Sequence, residues 1–236
     1  RLWGRIVLTS VLLAINWTTY VVVVHQGKVI EAALGYFIAP LGTMLLGVVV
    51  LHEKLRPLQK SSAALATFAV LVLTWGYGQV PFFALAMALS WALYGLLKRQ
   101  IVLAPVESLM SETMILIVPA IALIVSFGRH EDSVPHAASA LQWTLVLLAG
   151  VVTAVPLLLF ASAAHKLPLT VLGPLQYSVP VINFLLGWLA YDEQLTPSRV
   201  AGFGLIWIAL IIITIDSLIH NRGALQTMRA LRSSHE

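Results

Sequence analysis

The chain lacks cysteine and is short of charge. With no thiol among 236 residues it has no disulfide, no thiolate metal ligand and no cysteine nucleophile, and its redox compartment stays open. Charged residues make up 10% of the sequence, where a soluble domain carries about 25%. Hydrophobic residues reach 59%, and the mean hydropathy is +0.92. So few charges cannot clothe a water-facing surface, so lipid faces most of the exterior of an all-α integral membrane protein. Enzyme signatures are missing too. There is no P-loop and no Gly-rich nucleotide fingerprint, and "HEKLR" carries Arg56 where a zinc-protease helix needs its second His. No catalytic residue, metal or cofactor is therefore expected, and His25 and His165 fall at opposite membrane faces, too far apart to share an ion. The isoelectric point near 9.6 does not indicate a nucleic-acid partner, because the basic residues sit in short loops between apolar runs, where topology explains them.

Those apolar runs are long enough to cross about 30 Å of hydrocarbon. Eight are expected, at Ile6–Val24, Ala33–Leu51, Gln59–Trp75, Val80–Leu97, Ser108–Phe127, Leu141–Ala163, Leu169–Ala190 and Ser198–Ile219. Turn and breaker residues fill the connections, as in "HEKLRPLQ", "GYGQVP" and "DEQLTP". If the chain alternates sides, eleven of its 14 Lys and Arg residues fall on one face, leaving Lys28, Arg129 and Arg199 on the other. The positive-inside rule makes the richer face cytoplasmic, with both termini on it.

The chain also repeats itself. "PLGTMLLGVVVLHEKLRP" from Pro40 returns as "PVINFLLGWLAYDEQLTP" from Pro180, so that Gly47 falls on Gly187 and Glu53 on Glu193. The first three spans thus match the last three. Five helices separate the first span from its mate, an odd number, so the two copies cross in opposite senses and form an inverted repeat. The fourth and fifth spans have no counterparts unless two further helices, roughly 60 residues, precede position 1. The expected parent is a ten-helix inverted repeat (5+5), with residues 1–75 ending the first repeat, 80–219 forming the second and 220–236 a cytoplasmic tail. Such architecture is characteristic of secondary transporters.

The order of "INWTTY", "EAALGYFIAPL", "LHEKL", "WALYGLLKR", "SET", "TAVPLLLF", "LPLTVLGPLQYSVP" and "DEQLTP" closely resembles the RarD-type permeases of the EamA branch of the drug/metabolite transporter superfamily. The resemblance runs through essentially the whole chain. It implies ten transmembrane helices, duplicated EamA domains and an inner-membrane permease that exports a small organic solute, with chloramphenicol-like drugs among the candidates. Two positions depart from the family pattern: Ala39 stands where Asn is usual, and His165 where Arg is usual. The rival readings are an exporter of amino acids or other metabolites without drug activity and, more remotely, a membrane scaffold or lipid-modifying enzyme. Beyond a small-molecule substrate and membrane lipid, no partner follows, and the oligomeric state is left open.

Polar side chains at mid-membrane depth select the candidate site, because lipid penalises them unless they face a cavity or a partner. Asn16, flanked by Trp17, shares a face with Tyr20 and Thr9; it either lines a cavity or binds a neighbouring helix. Gln176, Pro180 and Asn183 form a second polar stripe beside Tyr177. Pro40 is the repeat mate of Pro180, and the two are expected as a paired hinge or cavity-facing kink, with Tyr36 one turn before Pro40. Met87, Trp91, Tyr94 and Lys98 share a face of the fourth span; Trp91 and Tyr94 either stack on an aromatic or cationic solute, sit in the interfacial belt or pack in the core, with Trp91 the candidate for substrate contact and Tyr94 nearer the belt, and Lys98 is expected to snorkel. Glu112 is the candidate for proton coupling, or else a helix N-terminal charge capped by Ser108 or Ser111. Glu53 and Glu193 read as start signals for the helices at Pro57 and Pro197, and Asp216 as interfacial. The first, second, fourth and seventh spans, with the fifth beside them, are expected to line the cavity.

Overall fold

A computed structural model describes residues 2–26, 28–75, 80–128 and 139–179, then 182, 201–202, 204–205, 207–209, 211–212, 214–216 and 219. Seven helices are named here: α1 (Leu2–His25), α2 (Val29–Val50), α3 (Pro57–Trp75), α4 (Phe82–Gln100), α5 (Pro105–Phe127), α6 (Ala140–Lys166) and α7 (Leu169–Leu175). Further helical residues occur at 178–179 and within 201–219, and no strand occurs among the described residues. Among the described residues, five helices are long and apolar enough to cross a membrane: α1, α2, α4, α5 and α6. In lipid each backbone N–H needs an internal partner, and a helix supplies it along its own length.

The helix starts follow local chemistry. Pro57 opens α3 and Pro105 opens α5, where a missing N–H costs nothing. In both, the third helical residue reaches back to a free amide: Gln59 accepts from Arg56 N at 2.9 Å, and Glu107 from Ala104 N at 3.1 Å. Ser139 and Gln142 complete a reciprocal capping box at the start of α6.

Helix α2 is the hub, packing on α1, α3, α4 and α7, while α4 also packs on α1 and α6. Polar contacts fix the directions. At one end of the bundle Arg5 of α1 donates to the carbonyl of Gln100, which closes α4 (2.7 Å). At the other, Glu31 of α2 accepts from Phe83 N in the first turn of α4 (2.9 Å), and Lys28 lies 4.9 Å from the Phe83 ring centre. Helices α2 and α4 therefore run parallel, with α1 antiparallel to both. Helices α5 and α6 turn apolar side chains such as Val118 and Leu147 outward, 70% and 72% exposed.

The seventh expected span is interrupted within its described residues. Its start, α7, stops at Leu175, and a turn occupies Gln176 and Tyr177. There the hydrogen bonds tighten, from Gln176 N to Gly173 O (3.0 Å) and from Tyr177 N to Pro174 O (3.1 Å). Pro180 ahead lacks the N–H that would close the next turn onto the Gln176 carbonyl. Before the break, α7 lies directly on α2: a Cβ at Gly173 would stand 2.5 Å from the Pro40 carbonyl oxygen, so only glycine permits this crossing.

Candidate substrate cavity

A cavity of about 510 Å³ lies between α1, α2, α4, α6 and the break after α7, within the range of about 300–1,000 Å³ that suits a small organic ligand. Helix α1 contributes Asn16, Trp17 and Tyr20; α2 contributes Gly35, Tyr36 and Ala39; α4 contributes Met87 and Trp91. Val152, Thr153, Pro156, Leu157 and Phe160 form one helical face of α6, and Gln176 and Val179 complete the lining.

Its walls are aromatic with fixed polar points. Trp91 and Phe160 rings lie 4.6 Å apart, and Tyr20 meets Tyr36 edge-on at 6.1 Å. The Trp91 indole N–H donates to Gln176 Oε1 (2.7 Å), and Gln176 Nε2 donates to Thr43 Oγ1 (3.3 Å), so Gln176 ties α4 to α2 across the break. Asn16 Nδ2 donates to the Met87 carbonyl (2.8 Å) and Ser90 Oγ (3.1 Å). Asn16 thus binds α4 and borders the cavity. None of the described lining residues is charged. Flat aromatic faces beside amide and hydroxyl groups suit a neutral amphipathic solute.

Beneath Trp91 lies a buried ionic cluster. Lys98 Nζ and Glu112 Oε1 are 2.7 Å apart, both fully buried. Thr9 donates to Glu112 Oε1 (2.7 Å), the Tyr94 hydroxyl to Oε2 (3.3 Å), and Lys98 also reaches Ser108 Oγ (2.7 Å). Two expectations are corrected here and one alternative is decided: Lys98 does not snorkel, Thr9 joins the ion pair rather than the Asn16 face, and Tyr94 packs in the core rather than at the interface. Each has a charged or polar partner inside the bundle, which in lipid outweighs a reach to the headgroups. Nor is Glu112 a helix-start charge: Glu107 does that work, and Glu112 lies more than a turn further in. The Tyr94 ring links cluster to cavity, stacked at 5.5 Å from Trp91.

Other residues fall elsewhere. Tyr177 does not line the cavity but packs among Phe37, Ala66, Ala69 and Val70, because the turn aims it at α2 and α3. Pro40 faces Gly173, leaving Ala39 to meet the cavity. Pro180, Asn183 and Glu193 lie outside the described residues. Glu53 caps a helix, though not the one at Pro57: its carboxylate accepts from Leu169 N (3.0 Å) and Thr170 N (2.8 Å) at the start of α7. Asp216 is buried beside Arg56, 2.5 Å away. Instead of α5, it is α6 that lines the cavity. Its sequence is apolar all round, so periodicity marks no inward face, and only Thr153 and Pro156 hinted at one.

Residues 80–215 match the EamA-like transporter family. The chain is 43% identical over 219 residues to Protein RarD of Streptomyces exfoliatus, covering 92% of this chain and 69% of that one. The chain belongs to the EamA-like transporter family. It is a transporter rather than an enzyme, and RarD-type in its relationships. It is 39% identical to the uncharacterized transporter YojE of Bacillus subtilis, over 92% of this chain and 72% of the relative. It is 28% identical to the chloramphenicol-sensitive protein RarD of Pseudomonas aeruginosa, over 89% of this chain and 70% of that protein. A crystal structure at 18% identity has a TM-score of 0.69, covering 91% of this chain and 78% of that one, which shows a shared fold.

Proposed function

We propose that this EamA-like transporter moves a small neutral organic solute, of the kind chloramphenicol represents, out across the inner membrane by alternating access. The observation that carries the reading is the uncharged aromatic cavity at mid-bundle, with Trp91 and Gln176 hydrogen-bonded at its wall. A helix broken at the cavity supports it, since transporters bind solutes where helices are discontinuous. The sensitivity in the name of the Pseudomonas relative makes chloramphenicol the first solute to try.

The proposal includes eight spans here within a ten-helix inverted repeat, residues 1–75 as the C-terminal part of the first repeat and 80–219 as the second, and cytoplasmic termini with the tail at 220–236. The sequence match at an offset of 140 and the asymmetry of Lys and Arg support these points. Asn16, Trp17, Tyr20, Tyr36, Trp91 and Gln176 are the proposed substrate contacts, Asn183 joins them on sequence grounds, and Pro40 and Pro180 are the proposed hinge pair. Glu112 is the proposed coupling acid. A second reading, export of an amino acid or other metabolite, draws on the same cavity through its amide and hydroxyl groups.

Inside-out vesicles loaded against a pH gradient test the proposal. Labelled chloramphenicol should accumulate in wild type and fail to do so in Glu112→Gln, with folded protein verified in both. Accumulation that persists in Glu112→Gln removes Glu112 from coupling. No accumulation in wild type moves the search to metabolites.

A further inference from the structure

The cavity and the contacts that close the bundle lie toward opposite ends. The lining residues of α1 fall in its second half, those of α2 in its first half and those of α4 up to its midpoint at Trp91, so the cavity reaches from mid-bundle toward the end marked by Lys28, Glu31 and Phe83, with α6 lining it from its centre and second half. Toward the other, basic end the helices close up: Leu96, Ala164, Leu169 and Leu172 pack into one apolar plug. Outside that plug sits a polar clasp. Glu53 holds both amides that open α7, Arg99 Nε lies 3.6 Å from Glu53 Oε1, and Arg99 Nη1 donates to the Leu167 carbonyl that closes α6. One carboxylate and one guanidinium thus gather the exits of α2, α4 and α6 and the entry of α7.

Two backbone features show that the clasp is built for. His52 takes a left-handed φ of 55°, turning the chain back so that Glu53 N donates to the Gly47 carbonyl (3.0 Å). That conformation is unfavourable for a residue with a Cβ. Gly47 is the floor on which the carboxylate rests: a Cβ there would lie 2.8 Å from Glu53 Oε2 and 3.2 Å from Thr170 N. The clasp also differs in kind from the Lys98–Glu112 pair. That pair is sealed from water, whereas Arg99 is 29% and Glu53 12% exposed, so water replaces the clasp's hydrogen bonds as soon as the end opens. A closure meant to open once per cycle needs that property.

We propose that Glu53, positioned by Gly47 and seconded by Arg99, is the gate residue of the basic end, holding the cavity shut on that side until α7 swings away from α2. The proposal rests on the alternating-access reading above. It makes the described conformation the one closed at the basic end.

The absence of cysteine makes the test direct, since Ala39→Cys puts a single thiol on the cavity wall. Its alkylation by a membrane-impermeant maleimide is timed from each side of oriented vesicles. Glu53→Gln should raise the labelling rate from the basic side relative to the opposite side by about threefold or more, as the closed population falls. Arg99→Gln, which leaves both α7 amides capped, should do so less, and it carries the test if Glu53→Gln fails to fold. A purely structural role would change the two rates together or lower the melting temperature, with no change in sidedness. An unchanged ratio in both variants overturns the gate while sparing the cavity. A thiol at position 39 unreactive from both sides overturns the cavity reading and the gate with it.

Discussion

Lys98 and Glu112 carry the sharpest consequence at the residue scale. A buried ion pair gives little or no net stability over an apolar pair of the same shape, but losing one member strands a charge inside the bundle. Lys98→Met or Glu112→Leu alone should each cost about 3–5 kcal/mol, and the double variant much less than either. Thermal unfolding in detergent, read as a double-mutant cycle, checks this; additive losses would contradict the pairing. At the cavity wall, Trp91→Phe keeps the stack on Phe160 and Tyr94 and loses the N–H to Gln176. It should weaken solute binding by about 1 kcal/mol, roughly fivefold, measured by titration of the purified protein. Asn16, Trp91 and Gln176 were legible in sequence because a polar group at mid-span demands a reason. Lys98 was not. A long cation near a helix end can reach the headgroups or an internal acid, and the choice depends on α5, which periodicity along α4 does not encode.

Individual elements were read with uneven success. The start of α3 was marked by Pro57, and the loops by their breakers, since those signals act within a few residues of chain; the fifth span was read from Ser108, three residues past the start of α5 at Pro105. The inward face of α6 and the break after α7 were hidden for different reasons: α6 is apolar on every side, and the break reflects how Gln176 bridges α4 and α2 as much as the prolines around it. Helix contacts set by glycine are predictable one at a time. Gly173→Ala drives a Cβ into the Pro40 carbonyl and should destabilise by about 1–3 kcal/mol. Gly150→Ala meets nothing within 4 Å and should be neutral or stabilising by up to about 1 kcal/mol, because alanine is the better helix former. Melting temperatures of the two variants, compared side by side, decide the point.

Over the whole molecule, the scarcity of charge and the high hydrophobic content led to the membrane, and the family motifs led to a transporter. What sequence left open was the partition of polar residues into three sets: an uncharged cavity, a sealed ion pair beneath it and a solvated clasp at the basic end. Only the packing of α1, α2, α4, α6 and α7 sorts them. The central claim is that solute crosses through the aromatic cavity. Uptake of labelled chloramphenicol and a panel of neutral aromatic metabolites into proteoliposomes tests it most directly, comparing wild type with Trp91→Ala and with the outward-facing control Leu147→Ala. At least one solute should enter with wild type, about tenfold more slowly with Trp91→Ala, the equivalent of about 1.4 kcal/mol, and at an unchanged rate with Leu147→Ala. Equal uptake by Trp91→Ala and wild type, or no uptake of any solute in the panel, would contradict the account.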